Sequence, residues 1–197
     1  MTCMKRRIRI DYNSPFCLTF CILAMAVYVS AILTRNWTLN HWFSISGSAS
    51  FFDWGTYPRL ILHVLGHGSI PHLFANLTVL LLVGPLLEEM YGAALLLGLS
   101  LITAILTGLI MVFLFNGTLV GASGVVFALI ILSSFANARS GAIPLTFILI
   151  CLIFLGGEII RALGDEDNIA QFAHIAGGIL GGCAGFLMAK RAETPRW

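Results

Sequence analysis

What most limits this chain is a set of apolar runs about as long as a membrane is thick. Phe16 to Leu33 and Ala93 to Phe115 each carry no charged residue. A helix needs about 20 mostly apolar residues to cross the hydrocarbon core. The runs are continuous rather than alternating, which argues against a transmembrane β-barrel. Composition agrees, with 58% hydrophobic and 10% charged residues, where a soluble domain carries about 25% charged. The net charge of +2 is too small to point to a nucleic-acid partner.

The pattern predicts six spans: about Pro15 to Leu33, Pro71 to Tyr91, Ala93 to Phe115, Ser123 to Phe135, Ile143 to Leu155 or Ile160, and Ile169 to Ala189. They take roughly 120 residues. The rest supplies tails at 1–14 and 190–197, short turns at Asn116-Gly117 and Asn137 to Gly141, an acidic loop with Asp165, Glu166 and Asp167, and one large loop. The expected fold is therefore a single all-α membrane domain over residues 15–189. The first run lacks a small-residue cleavage site and is read as a retained helix rather than a signal peptide.

The large loop, Arg35 to Tyr57, holds Trp37, Trp42, Phe43, Phe51, Phe52 and Trp54. Such aromatic density favours the bilayer interface, so the loop is expected to lie partly in the membrane. Arg59 to Gly66 reads as a helical segment that ends at glycine. Lys5, Arg6, Arg7, Arg9, Arg139, Lys190, Arg191 and Arg196 fall on one side of a six-span arrangement, and Arg35, Arg59 and Arg161 on the other. The basic excess places both tails in the cytoplasm. The cysteines, Cys3, Cys17, Cys21, Cys151 and Cys183, form no metal-type pair. They read as small apolar residues, and no disulfide is expected.

Strongly polar residues inside membrane helices are costly and mark function by default. His174 precedes Gly177, Gly181 and Gly185, a small-residue face that lets helix backbones approach closely. Gly178 and Gly182 repeat the spacing. The fourth helix opens on Gly121-Ala122-Ser123-Gly124. If the two small faces pack, Ser123 and His174 come within reach of one another. A serine hydroxyl needs a base to become a good nucleophile, and histidine is the usual one. Amides of the first helical turn near Ser123 have no intrahelical partner and carry positive partial charge. His72 and Asn76, one turn apart on one helix face, could add donors to a developing oxyanion. The bland alternative is a glycine-packed helix pair with a structural histidine. A metal site built on His63, His67, His72 and His174 is a rival, but there is no HExxH and no glutamate nearby to act as base. His63 and His67 are better read as holding the loop through hydrogen bonds.

These residues resemble the rhomboid family of intramembrane serine proteases. His67-Gly-Ser-Ile-Pro-His72-Leu-Phe-Ala-Asn76 is similar to its HxxxxHxxxN motif. Gly121-Ala-Ser123-Gly124 is similar to GxSG, and Ala173-His174-Ile-Ala-Gly177-Gly-Ile-Leu-Gly181 to AHxxGxxxG. GxSG alone is weak; the three in order on the expected helices are specific. The resemblance covers about residues 15 to 190. It implies a six-helix rhomboid-like bundle with a membrane-embedded loop between the first two helices. Ser123 would be the nucleophile and His174 the base. His72, Asn76 and the Ser123 amide would form the oxyanion hole. His67 and Glu88 would be structural, and Arg59 would be the loop arginine, with Pro58 replacing the tryptophan often found before it. Phe127 stands where many bacterial members carry a tyrosine stacked on the histidine. It keeps the ring and lacks the hydroxyl, so the stacking is expected to be retained.

The expectation is thus a Ser-His-dyad endopeptidase of a bacterial plasma membrane that cuts single-span membrane proteins near their outer end. The lipid bilayer would be its surroundings, and no cofactor or metal is implied. The aromatic loop and the fifth helix would be the gates. A rhomboid-like protein that captures membrane helices without cutting them is the alternative, which the intact Ser123 and His174 count against. A transporter is weaker still, because the third and fifth helices carry no charge along their middle stretches.

Overall fold

The computed structural model describes residues 11–136, 143–155 and 169–191. In order, the chain forms α1 (Pro15–Leu33), α2 (Trp37–Trp42), β1 (Ile45–Ser46) and α3 (Thr56–Leu62), which tightens into a 3-10 turn (His63–Leu65). Then come α4 (Ile70–Tyr91), α5 (Ala93–Leu114), β2 (Thr118–Leu119), α6 (Ser123–Ser133), α7 (Leu145–Ile150) and α8 (Ile169–Arg191). Among the described residues α1, α4, α5 and α8 are long and apolar enough to cross a membrane, and α6 is a shorter apolar helix. Large apolar side chains such as Ile32, Leu82 and Phe113 point outward, the inverse of a soluble protein.

Local chemistry sets the helix ends. Pro15 starts α1, where its missing N–H costs nothing. The Ser14 side chain does not cap the helix. Glu88 of α4 does so instead: its carboxylate accepts from the Phe16 and Cys17 amides at 2.8 and 3.1 Å and from the Ser14 hydroxyl at 2.5 Å. Arg35 and Asn36 take positive φ values of 51° and 64° beyond the far end of α1, a conformation asparagine accepts more readily than arginine. At α4, the Ser69 hydroxyl accepts from the His72 amide, a normal N-cap. Gly92, with φ 83°, lies between α4 and α5 and lets the chain reverse in one residue.

The core lies where α1, α4, α5 and α6 meet, around Cys17, Leu80, Leu87, Leu96 and Leu129. Cys17 seats against Gly84, where a β-carbon would overlap its sulfur. A second cluster, Ile45, Leu60, Met111, Leu119 and Ala173, fastens the large loop to the C-terminal half of α5 and to α8. The tightest packing joins α6 and α8. A β-carbon on Gly177 would overlap the Gly124 carbonyl, one on Gly181 the Ala128 carbonyl, and one on Gly185 the Phe135 ring. Gly182 looks elsewhere, toward Phe147 and Ile131 at ordinary contact distances.

Several boundaries differ from expectation. The large loop holds α2, and its β1 pairs antiparallel with β2, Ile45 opposite Leu119 and Ser46 opposite Thr118. Gly47 extends the pairing to the Gly117 carbonyl at 3.0 Å. The described residues are thus mostly helical, with one short two-stranded ribbon. Strands of two residues leave no alternating pattern to read. The segment expected from Arg59 starts at Thr56, and α6 stops at Ser133 rather than Phe135. The fifth expected span is described as α7 and a π-helical turn at Cys151–Leu155, and no side chain of α7 is buried. The basic N-terminal tail, the turn with Arg139, the acidic loop and the end of the C-terminal tail lie outside the described residues.

Candidate active site

Ser123 is the first residue of α6, following Ala122 at the N-cap and Gly121 at φ 120°. That left-handed value suits glycine, and space demands it too. A β-carbon on Gly121 would lie 2.5 to 2.7 Å from the edge of the His72 ring. The Gly121 amide donates to the His63 carbonyl at 3.0 Å, so the loop before α6 is tied to the 3-10 turn that follows α3.

Four elements enclose a cavity of about 420 Å³ beside Ser123. His72, Ala75 and Asn76 line it from α4, Thr118 to Val120 from β2 and the residue after it, Val126 and Phe127 from α6, and Gln171 and His174 from α8. Ser123, His174, His72 and Asn76 thus share one cavity. The reason lies in packing. Gly177 on Gly124 brings α8 to its closest approach one residue after the serine, and His174 sits one turn before Gly177. Thr103 and Thr107 of α5 back Gly124, their hydroxyls donating to Leu99 and Thr103 carbonyls at 2.8 Å each. The Phe127 ring lies face to face with the His174 imidazole, centroids 4.2 Å apart and planes 3° apart. The Asn76 amide group donates to the His72 carbonyl at 3.0 Å, which fixes its rotamer while it lines the cavity.

Behind the cavity, two buried histidines hold the backbone. His63 Nε2 donates to the Ala104 carbonyl at 3.0 Å, and His67 Nδ1 donates to the Leu65 carbonyl at 3.2 Å. The His67 ring meets His72 edge-on at 5.0 Å. Burial pushes His63 down to about 4. Burial, with the neighbouring His72 second, pushes His67 down to about 4. Among the described residues no three ligand-type side chains converge as a metal would need. Both histidines direct a nitrogen at a main-chain carbonyl instead.

Arg59 and Glu88 lie apart from the cavity. Arg59 donates through Nε to the His41 carbonyl at 2.8 Å and pairs with Asp53 at 3.3 Å, clamping the large loop onto α3. Glu88 caps α1, as described above. Two contributors to the cavity escaped sequence reading. Gln171, 8% exposed, lies three residues before His174 on the same helical face, a spacing that could have flagged it. Thr118 to Val120 gave no comparable signal.

A family model described as Rhomboid domain matches residues 55–191. The chain is 33% identical over 146 residues to RHOMBOID-like protein 2 of Arabidopsis thaliana, covering 68% of this chain and 43% of that protein. It is 25% identical over 173 residues to Rhomboid protease GlpG of Yersinia pestis (strain Pestoides F), covering 85% and 60%. The namesake from Yersinia pseudotuberculosis serotype O:3 (strain YPIII) matches to the same extent. The chain spans about half the length of these relatives.

Proposed function

Because the chain belongs to the rhomboid family, we propose that it is an intramembrane serine endopeptidase that hydrolyses peptide bonds in or near the spans of single-span membrane proteins. The observation that carries the reading is the shared cavity of Ser123, His174, His72 and Asn76 at the start of α6. The relatives named as proteases support it. In this mechanism His174 takes the proton of Ser123 as its oxygen attacks the scissile carbonyl, then returns it to the leaving amine. The oxyanion meets the Ser123 amide, whose place in the first helical turn leaves it without an intrahelical partner, and donors from His72 and Asn76. Stacking on Phe127 fixes the plane of the imidazole. The polar side chains among the cavity's lining, Thr118 and Gln171 with the four named above, admit the water that deacylates the serine. A substrate helix must unwind locally to offer a carbonyl, because helical carbonyls are already hydrogen-bonded.

The same reading assigns six spans, with residues 15–189 as the catalytic domain, the large loop partly in the bilayer and both tails in the cytoplasm of a bacterial cell. A rhomboid-like protein that binds membrane helices without cutting them is the other reading, favoured only by the family resemblance it shares. The test is cleavage of a single-span substrate by purified protein in liposomes. Ser123→Ala and His174→Ala are each expected to lower the rate by at least about 10³-fold, with α-helical content unchanged. Cleavage that survives Ser123→Ala refutes the nucleophile. A fluorophosphonate probe that labels wild type and not Ser123→Ala supports an activated serine independently of substrate choice.

A further inference from the structure

Two adjoining cavities, of about 370 and 140 Å³, run between α1 and α5 and share Phe16, Phe20, Leu23 and Leu97. The first reaches Pro15 and Ala93; the second ends beneath Leu62 and Leu65 at Ala104. From Ala93 to Ala104 the crevice follows α5 for about 16 Å, close to half of the ~30 Å hydrocarbon core. Its length is thus that of one leaflet. Its walls are almost wholly apolar. A helix filling that length would need on the order of 1,200 Å³, so the space suits a single hydrocarbon chain and not another helix.

The crevice also has a polar mouth. A third cavity, about 700 Å³, shares Pro15 and Ala93 with the first and is lined by Asn13, Glu88 and Glu89. Glu88 is engaged by the start of α1 through both oxygens. Glu89 is exposed and has no ion-pair partner among the described residues. A carboxylate without an ion pair among the described residues, at the mouth of a one-leaflet crevice, complements an ammonium group and repels a head group whose only charge is negative.

We propose that this crevice binds one phospholipid, one of its two acyl chains between α1 and α5 and its ammonium-bearing head group against Glu89. The inference is independent of the protease reading. It does connect to the cavity around Ser123. The upper end of the crevice is built from Ala104 and from residues flanking His63, and His63 bonds both Ala104 and Gly121. A bound chain therefore supports the loop that holds Gly121 in place.

The test is native mass spectrometry of detergent-purified protein with added dioleoyl phosphatidylethanolamine or dioleoyl phosphatidylglycerol. Wild type is expected to retain one phosphatidylethanolamine in preference to phosphatidylglycerol. Ala94→Trp fills the crevice from an exposed position and is expected to lower the bound fraction on the order of tenfold. Leu106→Trp, on α5 outside the crevice, is expected to change nothing. Glu89→Gln should shrink the head-group preference by up to about fivefold, the reach of an exposed ion pair. Melting curves confirm that each variant is folded. Equal lipid retention by Ala94→Trp and Leu106→Trp overturns the site. Absence of a head-group preference in wild type, or its survival in Glu89→Gln, overturns the role of Glu89.

Discussion

Phe127 and His174 carry the clearest single contact in the cavity, two rings stacked 4.2 Å apart. An aromatic pair is worth about 0.5–1.5 kcal/mol beyond the area it buries. If the imidazole is the base, losing that support lets it rotate off the serine. Phe127→Ala is therefore expected to lower kcat more than it raises KM, by roughly tenfold, while Phe127→Tyr stays within a few-fold of wild type. Steady-state cleavage kinetics distinguish the two, and equal loss in both variants would assign Phe127 to packing alone. Ser123, His174, His72 and Asn76 were all legible as residues, because each is a costly polar group in an apolar run. Gln171 went unread, although its place three residues before His174 puts it on the same helical face.

The pairing of α6 with α8 is where element-scale geometry makes the cavity. Glycine at 177, 181 and 185 lets the two backbones touch, and the carbonyls of Gly124 and Ala128 fill the space that side chains would take. Gly181→Val is expected to destabilise the protein by about 1–3 kcal/mol through overpacking, read as a lower melting midpoint in detergent, and to reduce activity by moving His174. Gly182→Ala, facing ordinary contacts, serves as the control. The spacing of small residues made this pair legible, but it offered two glycine series. Only the packed structure selects Gly177, Gly181 and Gly185. The cap on α1 makes a similar case. Glu88 stands 71 to 74 residues from the groups it binds. Glu88→Gln replaces one acceptor oxygen by a donor facing other donors. It is expected to cost about 1–3 kcal/mol, with a control Glu89→Gln near wild type in the same melting assay.

Across the whole molecule, two buried groups of the stretch between α3 and α4 titrate. His63 and His67 are held near 4 in the folded protein, against 6.5 for an exposed imidazole. Below pH 6.5 the unfolded chain binds more protons than the folded one, so stability falls as pH drops from about 6.5 to about 4. Each group contributes a loss of roughly 3 kcal/mol over that window. Melting midpoints measured from pH 7.5 to pH 4 are expected to drop, and less steeply in His63→Gln. A midpoint that stays level across the window would sink the assignment of neutral, buried imidazoles. By itself the sequence determined the membrane class, the long helices and the polar residues Ser123, His174, His72 and Asn76 that line the cavity, because hydropathy and small-residue spacing are local and repeat along the chain. Tertiary structure alone decided the β1–β2 ribbon, the reach of Glu88 to α1, the tie from His63 to Gly121 and the entry of Gln171 into the cavity. Each of these is one contact between segments far apart in the chain. A single contact leaves no periodic trace in either segment, so it exists only once the helices have packed.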